Sequence, residues 1–461
     1  MIGQQSTYKL IKKNADMLTP VGIFKRLQGE KKFLLESSFQ HETKGKYSYI
    51  GANPCKEIIG YEQETTVTDL YQHKTDSFSM NCLDYIKEHL PKLELDIPLP
   101  FTGGAIGYAS YDAVRSHHTI GDALPDTIGT PDYHFMVYDT IIVYEHRTET
   151  AYIIAVPLKG ESTETLEKRV QHISNELDET IQTESPETYP IHFEQALEKN
   201  DFMNQVKQAK EYIHQGEATQ IVLSQQMTAD VTGDPFAFYR HLRSKNPSPY
   251  MFYIDFTEYL IIGASPESLV QTTKDQVVTN PIAGTRPRAK KPSEDQQLAA
   301  ELLQDPKEIA EHNMLVDLSK EDFQNLCQAD SIHVPVYQDV TRYEHVMHLV
   351  SEVHGILKPN QSSMDALIAC LPAGTVSGSP KTRAMQIINE IETAKRGFYA
   401  GGIGYISFNH DINFAIAIRS LVVKNQKAYL QVGAGIVEDS VPEKEYEETL
   451  HKAKSLTNLH T

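Results

Sequence analysis

The chain has 461 residues, 40% of them hydrophobic and 23% charged, enough for two or three average domains or one large interleaved body with a sizeable core. A net charge of −19 leaves no domain-wide basic excess for phosphates, which excludes a nucleic-acid partner. Any anionic ligand must then be met by locally gathered cations or by a bound metal.

No apolar run near the N-terminus would serve as a signal peptide, and nothing approaches the roughly 18 uninterrupted apolar residues of a membrane span. A soluble, cytoplasmic protein with no membrane partner is expected. Cys55, Cys82, Cys327 and Cys370 stand alone without C-x-x-C spacing, so neither a zinc site nor a disulfide framework is indicated.

In chain order, YHFMVYDTIIVYEH and TAYIIAVPL read as strands, rich in β-branched and aromatic residues. TETLEKRVQHISNELDETI reads as an amphipathic helix with Leu166, Val170, Ile173 and Leu177 on one face. The polar, acidic, Pro-containing stretch 179–190 is the clearest seam and divides the chain into 1–180 and 190–461. Beyond it, ALEKNDFMNQVKQAKEYIHQGE reads as a helix, and QIVLSQQM, YMFYIDF and EYLIIGA as strands. One long helical stretch is expected from EDQQLAAELLQ into DPKEIAEHNMLVDL, and another helix over SPKTRAMQIINEIE. YAGGIGYISF, NFAIAIRSLVVK and KAYLQVGAGIVED then give three strand-like runs joined by short turns, before a last helix, PEKEYEETLHKAKSL. Such a meander beside helices predicts an α+β fold, with large antiparallel sheets covered by outer helices.

Four carboxylates are the most informative residues. Glu308 and Glu311 lie three apart on one helix face, and Glu445 and Glu448 repeat the arrangement on the last helix. Two such pairs are either solvated acidic faces or, if they meet, oxygen ligands for a hard divalent cation. YAGGIGY and VGAGIVEDS lack the third glycine of a dinucleotide fingerprint. PAGTVSGSPKT has no Gly-Lys, so it is not a phosphate loop. It is left as a capped turn or a carboxylate cradle. His345 and His348 sit in an apolar alternating run, where core histidines are common. Arg419 lies within NFAIAIRSLVV and either faces solvent or awaits an anion, because a stranded buried charge costs several kcal/mol.

GASPESLV, PIAGTRPR, DPKEIAEHNMLVDL, HVMHLVS, LPAGTVSGSPKTRAMQIINEIE, RGFYAGGIGY, FAIAIRS and GAGIVEDSVPEKEYEET occur in this order over most of 190–461. The set resembles the chorismate-utilising enzymes: anthranilate synthase large subunits, aminodeoxychorismate synthases, isochorismate synthases and salicylate synthases. The resemblance implies face-to-face sheets with the N-terminal part interleaved, and Mg2+ on Glu311 and Glu448 with Glu308 and Glu445 behind them. It implies that the metal and the backbone of Gly284 and Thr285 hold the ring carboxylate of chorismate. Tyr399, Arg419, Lys452 and the backbone of Gly433, Ala434 and Gly435 would hold the enolpyruvyl carboxylate. Glu267 would be the general acid for the departing ring hydroxyl, with His348 beside the ring and Thr375 lining the pocket.

Two positions separate the relatives. Gln220 stands where water-activating members carry a lysine, and Ala283 where aminodeoxychorismate synthases usually carry a nucleophilic lysine. Both point to an anthranilate synthase, in which ammonia adds to the ring, the hydroxyl leaves and pyruvate is eliminated. An aminodeoxychorismate synthase without its lysine, or a retired homologue that senses tryptophan, are the alternatives. LLESS, KYSYIG and NPSPYMFYI resemble the tryptophan feedback pocket, with Glu36, Ser37, Lys46, Pro249, Tyr250 and Met251 as its candidates; packing between the two halves is the other reading. No cysteine has the context of a glutamine amidotransferase nucleophile, so a separate glutaminase subunit is the expected ammonia source and the expected partner in a hetero-oligomer. The chain departs from the pattern at Lys320, Glu321 and Asp322, where Arg-Asn-Asp is usual, and at Asn413, where an acidic residue is frequent.

Overall fold

The computed structural model describes residues 8–37, 45–180, 193–195, 197–343 and 346–457. The seam over 181–190 and His345 fall outside these residues. Among those described, two antiparallel sheets of twelve strands each organise the fold. The first runs Lys9–Asn14, Thr150–Ala155, Thr140–Glu145, Tyr47–Gly51, Phe33–Glu36, Tyr250–Asp255, Tyr259–Ser265, Ser420–Lys424, Lys427–Ile436, Gln220–Asp230, Glu194–Gln195, with Gly378–Ser379 beside Gln220–Asp230. The second runs Ile282–Pro287, Val346–Ile356, Gln276–Thr279, Ser268–Thr273, Ile412–Ile416, Gly402–Ser407, Gly104–Ala109, Tyr133–Tyr138, Lys56–Tyr61, Glu64–Asp69, Lys74–Phe78, with His333–Arg342 on Val346–Ile356.

The strands are apolar on both faces because both faces are covered. Ile141, Val143, Ile154, Phe252, Ile254 and Ile261 point into the core shared with the second sheet. Their alternating neighbours Ile142, Ile153, Met251, Tyr253 and Ile262 join the helices Pro20–Arg26, Thr163–Glu176 and Pro235–Lys245 on the opposite face. In the Thr163–Glu176 helix, Leu166 and Val170 are buried, as the periodicity predicts. All four cysteines are free and buried.

Each sheet joins a block of strands from before the seam to a block from after it. Leu35 pairs with Phe252 in the first and Ile106 with Tyr405 in the second, so neither part of the chain owns a sheet.

Two expected runs are broken. The long helical stretch is two helices, Pro292–Leu302 and Pro306–Gln324, separated where Asp305 caps the N–H groups of Lys307 and Glu308 and Pro306 starts a new first turn. NFAIAIRSLVVK is not one strand. Ile412–Ile416 belongs to the second sheet and Ser420–Lys424 to the first, and Arg419 sits in the crossing with φ of 51°. Its neighbour does the same: Tyr259–Ser265 lies in the first sheet, Ser268–Thr273 in the second, and Glu267 in the crossing between them. The two crossings are joined by Ile416 N–H donating to Glu267 O at 3.0 Å.

Candidate active site

The crossings place two side chains outside the sheet ladders. Glu267 is buried, and burial lifts its carboxyl from 4.5 to about 8; nearby Thr375 and Lys452 pull weakly the other way. Thr375 Oγ1 is buried without a hydrogen-bond partner. Both residues line a cavity of about 30 Å³ with Asn280 and Asp322. Arg419 carries a left-handed backbone, which an arginine adopts only where its surroundings impose it. Its guanidinium donates to Lys452 O at 3.4 Å. Burial lowers its pKa, while Tyr399 and Glu448 oppose that shift.

The last helix, Pro442–Thr457, turns one face towards this point. Lys452 Nζ lies 2.8 Å from Glu448 and donates to Gly433 O at 2.9 Å, clamping the helix to the strand Lys427–Ile436. On that strand a Cβ at Gly433 would come 2.7 Å from the Tyr399 hydroxyl, and one at Gly435 would come 2.6 Å from Gln220 Nε2. Glycine is required at 433, where the Leu223 carbonyl also lies 2.8 Å from the Cβ position, whereas at 435 only the end of the Gln220 side chain would have to move. Ala434, between them, turns its methyl into the core under the helices Lys199–His214 and Lys381–Ile391, so only its backbone is left for a ligand. Burial pushes Tyr399 up to about 12, keeping it a neutral donor. Gln220 Oε1 is buried and unpaired.

Opposite stands the Pro306–Gln324 helix. Burial and then Glu308 raise Glu311, with Glu448 adding to the effect; burial and then Glu448 raise Glu445, which Ser440 partly relieves. Glu311 on one helix thus feels the charge of Glu448 on the other. Glu308 also binds Arg286 at 3.0 Å and lies 3.1 Å from where a Cβ at Gly284 would stand. Gly284 has φ of +69° at the point where the register between Ile282–Pro287 and Val346–Ile356 slips by one residue. Such a bulge needs a residue without a Cβ and frees the local backbone from the ladder. His348 Nδ1 lies 2.9 Å from Gly284 O and 3.1 Å from Thr285 Oγ1. Its Nδ1–H therefore donates to the carbonyl and leaves Nε2 as the acceptor. Burial and the Arg419 charge lower its pKa, so the ring is neutral. Among the described residues no three His, Cys, Asp or Glu side chains converge as a closed metal cage.

Glu36, Ser37, Lys46, Pro249, Tyr250 and Met251 lie elsewhere, all on the wall of one cavity of about 430 Å³ between the sheets. Glu36 Oε2 accepts from Tyr239 at 2.6 Å and Arg243 at 2.8 Å, while Glu36 Oε1 and Ser37 Oγ are buried and unpaired. Asn413 lines this cavity rather than the one beside Glu267, and Asn280 lines both. The Lys320–Asp322 departure is absorbed: Lys320 pairs with Asp317, Glu321 is exposed, and Asp322 pairs with Lys381 at 2.6 Å.

Sequence reasoning missed Tyr343, whose ring lies 5.3 Å from His348 and whose hydroxyl burial pushes far above its usual pKa. Nothing in its local pattern sets it apart from a packing aromatic.

Residues 30–458 match the chorismate binding enzymes, and the chain belongs to that family. Within it, the chain is 43% identical over 452 residues to anthranilate synthase component 1 of Lactococcus lactis, covering 97% of this chain and 98% of the relative. It is 39% identical over 459 residues to the protein of that name from Aquifex aeolicus, covering 96% and 92%. The crystal structure of anthranilate synthase component I from Streptococcus pneumoniae superposes with a TM-score of 0.84 at 42% identity, covering 96% of this chain and 98% of that one. The menaquinone-specific isochorismate synthase of Escherichia coli shares the fold, with a TM-score of 0.72 at 20% identity, covering 99% and 95%.

Proposed function

We propose that the chain converts chorismate and ammonia to anthranilate and pyruvate, the reaction its relatives' name describes. One observation carries this reading: a buried carboxyl that stays protonated near neutral pH stands beside a gathered set of cations in a chain of net charge −19. Arg419, Tyr399 and Lys452 supply the charge and donors for one carboxylate of a dianion. Glu267, protonated below about pH 8, gives its proton to the departing ring hydroxyl, which leaves as water. Neutral His348 orients the ring and accepts a proton at Nε2 as pyruvate is eliminated.

Glu311, raised by burial and then by Glu308 and Glu448, belongs to a carboxylate group that is a fitting donor set for a hard cation, which binds through one or two carboxylates and completes its shell with water and substrate. Glu311 and Glu448 would hold Mg2+, with Glu308 and Glu445 behind them. The cation would neutralise the second carboxylate of chorismate.

Ammonia is favoured over water because Gln220, unlike a lysine, has no basic nitrogen with which to deprotonate water. The aminodeoxychorismate reading is disfavoured because Ala283 packs with Leu315 and Leu318 in an apolar cluster, where a lysine would lose its solvation. A glutaminase subunit would deliver the ammonia. Tryptophan would occupy the larger cavity, whose volume of about 430 Å³ falls in the ~300–1,000 Å³ range of small-molecule sites. Among the described residues no helix is long and apolar enough to cross a membrane, and a cytoplasmic location fits the free cysteines.

The test is purified protein with chorismate, Mg2+ and ammonium at mildly alkaline pH, followed by anthranilate fluorescence with and without tryptophan. Absence of fluorescent product without tryptophan would defeat the reading of the catalytic site.

A further inference from the structure

Arg396 is the largest fully buried side chain in the protein's described residues, only 2% exposed, and none of the roles above uses it. Its guanidinium grips Glu392, four residues earlier, through Nε at 2.9 Å and Nη2 at 2.6 Å. The same group donates to Val222 O at 2.6 Å and to Val376 O at 2.7 Å. It also lies over the rings of Tyr111 at 4.7 Å and Tyr399 at 5.8 Å. Glu392 Oε1 accepts in turn from the Ser224 N–H at 2.9 Å and the Ser224 hydroxyl at 2.8 Å.

The anchor points follow a pattern. Val222 lies two residues after Gln220, Val376 follows Thr375, and Tyr399 follows Arg396 by three. Two separate segments, those of Gln220 and Thr375, are therefore hydrogen-bonded to one rigid planar cation carried by a third, which also bears Tyr399. Stability alone does not account for it, because apolar side chains of similar volume commonly replace buried ion pairs without loss of stability. A fixed spacing between three segments does account for it.

We propose that the Glu392–Arg396 pair is a positioning device for the reaction, setting the separations of Gln220, Thr375 and Tyr399 without touching chorismate. This rests on the chorismate-aminating reading, and wild-type protein assayed in the same run keeps the two apart. If the wild type forms no anthranilate, that reading fails; if it does, the variants judge the positioning role.

Arg396→Ala and Ser224→Ala are measured in the full chain with chorismate, Mg2+ and ammonium, separating kcat from KM. Displacements of about 1 Å cost on the order of 100-fold, so folded Arg396→Ala should lose about that factor in kcat/KM. Millimolar guanidinium, filling the vacated space, should restore at least part of it. Ser224→Ala removes one donor to the carboxylate and should lose roughly 3- to 10-fold, mostly in kcat. A purely structural role would lower Tm and leave kcat and KM of the folded fraction unchanged. Wild-type constants in Ser224→Ala, or in folded Arg396→Ala, overturn the proposal. If Arg396→Ala is insoluble, Ser224→Ala decides alone.

Discussion

Glu267→Gln separates the stability of the fold from its chemistry. The wild-type carboxyl titrates at about 8 in the folded chain against 4.5 when solvated, with burial the dominant cause. Between those values the folded state holds the proton more tightly than the unfolded one, so stability is lost as pH rises through the window. At about 1.36 kcal/mol per pH unit, the loss is roughly 3 kcal/mol by pH 7 and about 5 kcal/mol once pH passes 8. Glutamine is nearly isosteric and never ionises, so the variant escapes the loss. With about 2.1 cal/mol/K of unfolding entropy per residue, each kcal/mol moves the Tm of a cooperative unit this long by about 1 °C. The Tm of Glu267→Gln minus that of the wild type should therefore rise by about 3 °C between pH 4.5 and 7. Anthranilate formation should fall to background at every pH. A Tm difference that does not change with pH would show that Glu267 is not a buried, protonated acid and would remove the stated origin of its catalytic role.

Glu448→Gln should abolish Mg2+-dependent turnover while circular dichroism stays that of the wild type; undiminished activity across a Mg2+ titration would refute the metal assignment. Arg419→Ala should raise the KM for chorismate by roughly 10- to 100-fold, the worth of about 1.5–3 kcal/mol in charge-assisted hydrogen bonds, as read by initial rates. Ser37→Phe should fill part of the larger cavity, abolishing tryptophan inhibition with little change in kcat; calorimetric tryptophan binding equal to wild type would place the effector elsewhere.

Much of this was legible in the residue pattern. The helix face of Leu166 and Val170, the strand runs and the two carboxylate pairs at three-residue spacing survive in three dimensions because each depends on local periodicity. Residues joined only by the resemblance, such as Gln220 and Gly435, also meet. What stayed hidden depends on the path of the chain between sheets. NFAIAIRSLVVK has the composition of a single strand, and nothing local says that Arg419 leaves one sheet for the other. The Asp305 cap and Pro306 were visible as a helix start, but the apolar pattern on either side suggested one continuous helix. The role of Arg396 has no local signature, because its carbonyl partners, Val222 and Val376, are remote in sequence.

The sharing of both sheets across the seam has a consequence for how the enzyme can be divided. A polypeptide beginning at 190 would contain every side chain proposed for catalysis, yet Tyr250–Asp255 and Gly402–Ser407 would each lack one of their two neighbours. Both would become bare edges of the kind that recruit foreign strands. The N-terminal part thus acts as a shield: both crossings keep their own paired strands without it, and deleting it would strip one side of each sheet while sparing every residue proposed to meet chorismate.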